Sequence, residues 1–243
     1  MPNSYNTLFK DEYFESIYKH GNILNVEQFE LASESFARDY EEIIPEDKNA
    51  AFLDVGCGVG HFLYHLKKMG YRNYYGIDIS RQQIEYCTKN VTEQVEVADA
   101  LIFLQNMEDR YDIICLHDVL EHIAKENIIT LLKLLFQALK KEGMVILRVP
   151  NMSTPFGLDA RYNDFTHEIG YTAKSLYQVL WVCGFREIRI LPPKQIIIKN
   201  YRNIIRKFMV MILHQLIRFC YYIQDYNVPQ NLDKNLTVIG KKI

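Results

Sequence analysis

The chain has 243 residues, 49% hydrophobic and 24% charged, so it can bury a sizeable core as one large domain or one domain with appendages. A formal net charge of −2 argues against a nucleic-acid binder, which would carry a basic face. Five scattered cysteines without a C-x-x-C pair argue against a disulfide framework or a cysteine zinc site and imply free thiols in a reducing cytoplasm. The segment Met1 to Asp11 is polar and lacks an apolar signal core, and no run of about 18 apolar residues is present to span a membrane.

Residues 1–49 read as a helical cap ahead of the main domain, which is expected over 50–243. Glu12 to Tyr18 and Val26 to Ile44 carry helical periodicity, and Phe29, Phe36 and Tyr40 share one face. Pro45 ends this part. Ala51 to Val55 is a short apolar run that predicts a buried strand. Gly56, Gly58 and Gly60 follow at alternate positions. They let the backbone turn sharply and approach a ligand closely. A helix beginning at His61-Phe62-Leu63 would point its N-terminal N–H groups at the same crevice. Strand, glycine turn and helix open a doubly wound sheet that binds a nucleotide. The glycines run G-x-G-x-G rather than G-x-G-x-x-G, which disfavours a nicotinamide dehydrogenase.

Tyr74 to Ile79 predicts the second strand, with Asp78 near its end, where a carboxylate can hold ribose hydroxyls. Ser80 caps the next helix, Arg81 to Lys89. Gln94 to Ala98 is a third strand closed by Asp99-Ala100, and Tyr111 to Leu116 is a fourth. Ile128 to Leu139 forms a helix that Lys140-Lys141-Glu142-Gly143 ends. Met144 to Val149 is the fifth strand, stopped by Pro150. The alternation implies a parallel sheet with helices on both faces. Ala173 to Cys183 is a helix, Phe185 to Leu191 a strand, and Leu236 to Ile239 a final strand. The stretch Tyr201 to Tyr222 is apolar and basic, and it resembles an interfacial amphipathic helix or a packing helix pair.

The glycine loop after Asp54, Asp78, Asp99-Ala100, and the run His117-Asp118-Val119-Leu120-Glu121-His122 together resemble the class I S-adenosylmethionine (SAM) methyltransferases over about residues 50–150. The resemblance implies a Rossmann-like seven-stranded mixed sheet whose last strand is antiparallel between the fifth and sixth. The basic, apolar stretch at about 200–224 is expected as a helical insertion in that domain. SAM is the implied cofactor, ringed by Asp54, Gly56, Gly58, Gly60, Asp78, Ile79, Asp99, Ala100 and His117. Narrower motifs in Asn151 to Phe185, including Asn163-Asp164-Phe165-Thr166-His167-Glu168, resemble methyltransferases of bacterial surface-polysaccharide synthesis. That likeness implies an O-methyltransferase acting on a sugar hydroxyl.

A hydroxyl is a poor nucleophile at neutral pH, so a base is expected, and histidine suits the role. His167, on the connection after the fifth strand, is the candidate base, with Asp164 orienting it or binding substrate. His117 is a second candidate, or a histidine packed beside the cofactor. Asp118, Glu121 and His122 fall at i, i+3 and i+4 and resemble the ligand set of metal-dependent O-methyltransferases. The same spacing also reads as a capping box, the favoured alternative. Rival readings are a metal-dependent quinone-type O-methyltransferase and a SAM-binding regulator without turnover. Expected partners are a glycan or small-molecule acceptor, with no nucleic acid. Residues 201–222 could touch the inner face of a membrane or pair two copies of the chain.

Overall fold

The computed structural model describes residues 14–15, 24–192 and 201–243. Most of the predicted helix Glu12 to Tyr18 lies outside the described residues. The described chain begins its regular structure with α1 (Val26–Tyr40), capped by the Asn25 side chain, which accepts from the Gln28 N–H. The alternating core follows: β1 (Phe52–Val55), α2 (His61–Lys68), β2 (Tyr74–Asp78), α3 (Arg81–Asn90), β3 (Val95–Val97), α4 (Ala100–Phe103), β4 (Tyr111–His117), α5 (Lys125–Ala138) and β5 (Leu139–Pro150). The second half adds α6 (Gly157–Tyr162), α7 (Ala173–Val182), β6 (Arg186–Ile190), α8 (Tyr201–Ile223) and β7 (Asn235–Lys241).

The seven strands form one sheet in the order β3-β2-β1-β4-β5-β7-β6. Strands β1 to β5 pair in parallel, and β7 runs antiparallel between β5 and β6. This is the expected Rossmann-like mixed sheet. β1 is buried along its whole length, because helices cover both faces of a parallel sheet and leave no side of it to water. Alternate residues of β4 feed two cores. Ile114 and Leu116 meet α5 and α7 on one face, while Ile113 and Cys115 meet α1 and α2 on the other. Phe29, Phe36 and Tyr40 anchor α1 in that second core, as their helical spacing requires.

The first helix ends at Tyr40, short of the expected Ile44, and the end of α5 differs from expectation too. α5 stops at Ala138, and β5 starts at Leu139, opposite Tyr111. Gly143 is therefore inside the strand rather than at a helix end. A Cβ there would lie 2.8 Å from the Lys140 carbonyl, so the turn is too crowded for any side chain. The strand order reverses between β1 and β4. Ligands of open α/β sheets bind at such a switch point, beyond the carboxyl ends of the strands. The segments leaving β1 and β4 there are the glycine loop and residues 118–122.

Candidate active site

The glycine loop is built for tight turning. Gly56, Gly58 and Gly60 have φ of 72°, 56° and 91°, all in the left-handed region. Its backbone is pinned to β2, since Gly56 and Cys57 both donate to the Ile77 carbonyl at 2.7 and 3.0 Å. A Cβ on Gly56 would lie 2.2 Å from Val119 Cγ2, and one on Gly60 would lie 2.4 Å from Cys87 Sγ. The glycines are thus needed by the protein's own packing as well as by a ligand. Gly60 caps α2, so no N-cap side chain answers the first N–H groups of that helix.

Asp78 holds the loop from the other side. Its carboxylate accepts from Gly58 N at 2.9 Å and from Ser80 N at 2.8 Å. Burial raises its pKa, and these N–H donors oppose the rise. Each carboxylate oxygen can accept a second bond, so both remain capable of meeting a ribose hydroxyl. Ser80 caps α3 as expected, accepting from Gln83 N. Ile79 is partly exposed beside Asp78. Asp99 caps α4 by accepting from Leu101 N at 2.9 Å, which places Ala100 in the first turn of α4.

Two buried polar atoms at this crevice lack a hydrogen-bond partner: Asp54 Oδ1 and Gln83 Oε1. Asp54 is only 2% exposed, and burial pushes its pKa up to about 8, with Asp78 adding to the rise and Arg148 opposing it. A buried carboxylate with an open acceptor suits a cationic ligand. SAM carries an ammonium and a sulfonium, so these residues fit it. Gln83 was not foreseen from the sequence. Its one available signal was its place three residues after the Ser80 cap, where a helix's first turn turns back toward the loop.

His117 is packed among aromatic rings. Its side chain is 7% exposed among Phe36, Tyr40 and Phe62. Its Nε2 pairs with the Tyr40 hydroxyl at 2.9 Å, and its Nδ1 stands 3.8 Å from Asp54 Oδ1. The alternation of β4 turns it toward α1, the placement that the reading as a histidine packed beside the cofactor anticipates. It remains a neighbour of Asp54.

The acid-x-x-Glu-His run also departs from expectation. No helix carries it. Leu120–His122 is one 3-10 turn, and Asp118 lies outside it with φ of 58°. α5 begins at Lys125 without a side-chain cap, so the capping box is absent as well. The Asp118 carboxylate is held by Arg148 of β5 through Nε and Nη2, which takes it out of the expected metal set. The chain instead brings His167 to Glu121 and His122. The His122 and His167 ring centroids are 4.7 Å apart, at 62° between planes. Glu168 N and Ile169 N donate to the Glu121 carbonyl and tie the two segments together.

Asp164 acts next door. Its Oδ1 accepts from the Thr166 N–H at 2.9 Å and from the Thr166 hydroxyl at 2.6 Å. Burial works against its charge, but the Thr166 bonds and the two histidines hold its carboxyl below the usual range. The His122 Nδ1 lies 2.8 Å from the Thr166 hydroxyl, and His167 Nδ1 lies 2.9 Å from the Ala160 carbonyl. Burial, then the neighbouring His167, lowers the His122 pKa.

A family model described as a methyltransferase domain matches residues 28–189. In the 100 residues it shares with zebrafish (Danio rerio) EEF1A lysine methyltransferase 2, the chain is 34% identical. That match covers 35% of this chain and 43% of the zebrafish protein. A SAM-dependent methyltransferase from Archaeoglobus fulgidus has a similar fold, with a TM-score of 0.67 and 24% identity over 98% of this chain and 100% of that one. The plantazolicin methyltransferase BpumL, solved in complex with SAH, aligns with a TM-score of 0.56 and 22% identity over 88% and 84%. With the switch-point crevice and its cation-seeking Asp54, these matches place the chain in the methyltransferase-domain family, as a SAM-dependent methyltransferase.

Proposed function

We propose that this enzyme methylates a hydroxyl oxygen, and that the acceptor is a sugar hydroxyl of a surface glycan or its precursor. The observation that carries the oxygen acceptor is the His122–His167 pair on the segments that border the crevice. A carbonyl can only accept, so His167 donates from Nδ1 to Ala160 and its Nε2 bears the lone pair. SAM supplies an electrophilic methyl group on a sulfonium. The enzyme's task is to set the acceptor oxygen in line behind that methyl and relieve it of its proton. In the metal-free protein His167 takes the proton at Nε2. Asp164 supports the pair electrostatically and through Thr166.

A sugar acceptor is supported by the surface beside His167. Phe156, Tyr162 and Phe165 are 62–73% exposed on the connection that carries it, and aromatic faces stack on the apolar faces of sugar rings. The Asn151–Phe185 motifs support the same class. The zebrafish relative's name supports a second reading, an amine acceptor on a protein lysine. Among the described residues of 1–49, α1 serves as a helical cap on the catalytic domain, taken as 50–243. α8 sits the enzyme on an anionic membrane surface, near lipid-linked acceptors. Between Ile204 and Ile223 most of its apolar side chains are 39–75% exposed, Val210 and Tyr221 are half-buried, Ile217 is buried, and the helix holds no acidic residue.

Labelled SAM, offered with sugar nucleotides, lipid-linked sugars, a catechol and a lysine peptide, tests the acceptor. Label is expected on a sugar oxygen. His167→Ala should cut turnover about 10²-fold or more while SAH binding persists. Transfer only to the lysine peptide refutes the oxygen reading, and near-normal turnover of the variant refutes the role of His167.

A further inference from the structure

We infer that Glu121, His122 and His167 form a binding site for one divalent transition-metal ion. One potential ligand atom from each lies within 4.8 Å of the other two. Ligands about 2.1 Å from a tetrahedral ion stand roughly 3.4 Å apart, so inward side-chain movements of up to roughly 0.8 Å each close the set. The three come from a turn after β4 and a loop after β5, so the tertiary fold assembles them.

Two independent features point to a cation, and the donor set says which kind. Glu121 is 2% exposed, and neither of its carboxylate oxygens has a hydrogen-bond partner. A buried carboxylate with both oxygens unsatisfied is costly unless a positive charge is supplied. Both histidines are also locked in the tautomer that ligation needs. The Thr166 hydroxyl spends its proton on Asp164, so it must accept from His122 Nδ1–H. The Ala160 carbonyl likewise accepts from His167 Nδ1–H. Each ring therefore bears its lone pair on Nε2, and each is oriented by a second group, as metal-bound histidines are. Finally, two imidazoles and one carboxylate suit zinc, cobalt, iron or manganese better than magnesium, which prefers oxygen ligands. Asp118, committed to Arg148, is not a ligand.

The role of the ion rests on the hydroxyl reading above, whereas its binding does not. With the ion in place, His167 Nε2 is a ligand and no longer a base. The ion then withdraws charge from the acceptor hydroxyl, whose proton leaves to solvent water. The oxygen forms its bond to the methyl carbon as the carbon–sulfur bond breaks, and that electron pair stays on sulfur.

Cobalt(II) titrated into chelator-treated protein provides the test, followed by visible absorption and calorimetry. One equivalent should bind, with d–d bands of a nitrogen–oxygen site. Glu121→Gln and His167→Ala should each weaken binding at least 100-fold, and Thr166→Val should weaken it about 10- to 100-fold. Asp118→Asn should bind like the parent. Circular dichroism and melting curves confirm that each variant is folded. Absence of cobalt binding in the parent, or unchanged binding in folded His167→Ala, overturns the site. Full methyl transfer to a sugar in excess chelator would remove the catalytic role of the ion and leave His167 as direct base. Stoichiometric cobalt with transfer only to lysine would keep the site and refute the hydroxyl reading.

Discussion

Replacing Gly56 by alanine isolates what the glycine loop requires. Gly56 and Gly70 both have φ near 80°, at 72° and 83°, so alanine at either must adopt the left-handed region at a cost of about 1–2 kcal/mol. Gly70 ends α2 and a Cβ there meets nothing within 4 Å, so the cost stops at that strain. At Gly56 the Cβ would fall 2.2 Å from Val119 Cγ2, which adds an overpacking cost of about 1–3 kcal/mol. Gly56→Ala should therefore lose about 2–5 kcal/mol and Gly70→Ala only about 1–2 kcal/mol, measured by urea unfolding. Val119→Ala removes the colliding methyls, so in the double variant the excess over Gly70→Ala should largely vanish. SAH affinity by calorimetry should fall with Gly56→Ala and stay level with Gly70→Ala, because only the first moves the backbone held by Ile77. Equal losses for the two single variants, or no recovery with Val119→Ala, would refute this account of the crevice.

Two further outcomes are expected. His65 is buried against Ser33 Oγ, which lies 3.0 Å from its Nδ1, and burial followed by Lys68 lowers its pKa to about 4 from an ordinary 6.5. Between those values the unfolded chain takes up a proton that the native chain does not. His65 therefore costs no stability above pH 6.5 and progressively more as pH falls to 4. The difference in urea midpoint between pH 7.5 and 4.5 should shrink in His65→Gln, and an unchanged difference would reject the assignment. The chain should co-sediment with vesicles of phosphatidylglycerol and phosphatidylcholine, less so at high salt or in Arg202→Ala/Arg206→Ala/Lys207→Ala. A protein that ignores vesicles and dimerises on ultracentrifugation would instead place a second copy on α8.

Local chemistry carried much of this protein into view. Buried strands announce themselves as apolar runs, and left-handed turns demand glycine. Ser80 caps α3 because a hydroxyl at that position answers an otherwise unpaired N–H. Each of these depends on neighbours within a few residues, so one stretch of chain suffices to read it. The run from Asp118 to His122 misleads for the same reason. Its spacing suits a helix, yet Arg148, thirty residues away on the adjacent strand, captures Asp118 and leaves only a single 3-10 turn.

What the sequence alone determined was the doubly wound order and the crevice at the carboxyl ends of the strands, because period, glycine spacing and caps are local; the cofactor followed from the resemblance of the glycine loop, Asp78 and Asp99-Ala100 to the class I SAM methyltransferases. Only the tertiary structure decided that His117 turns inward to Tyr40, that α8 keeps its apolar side exposed, and that His167 joins Glu121 and His122. Those outcomes rest on which strands become neighbours and which face each side chain takes. That is a property of long-range packing, in which a residue's role is set by partners dozens of positions away.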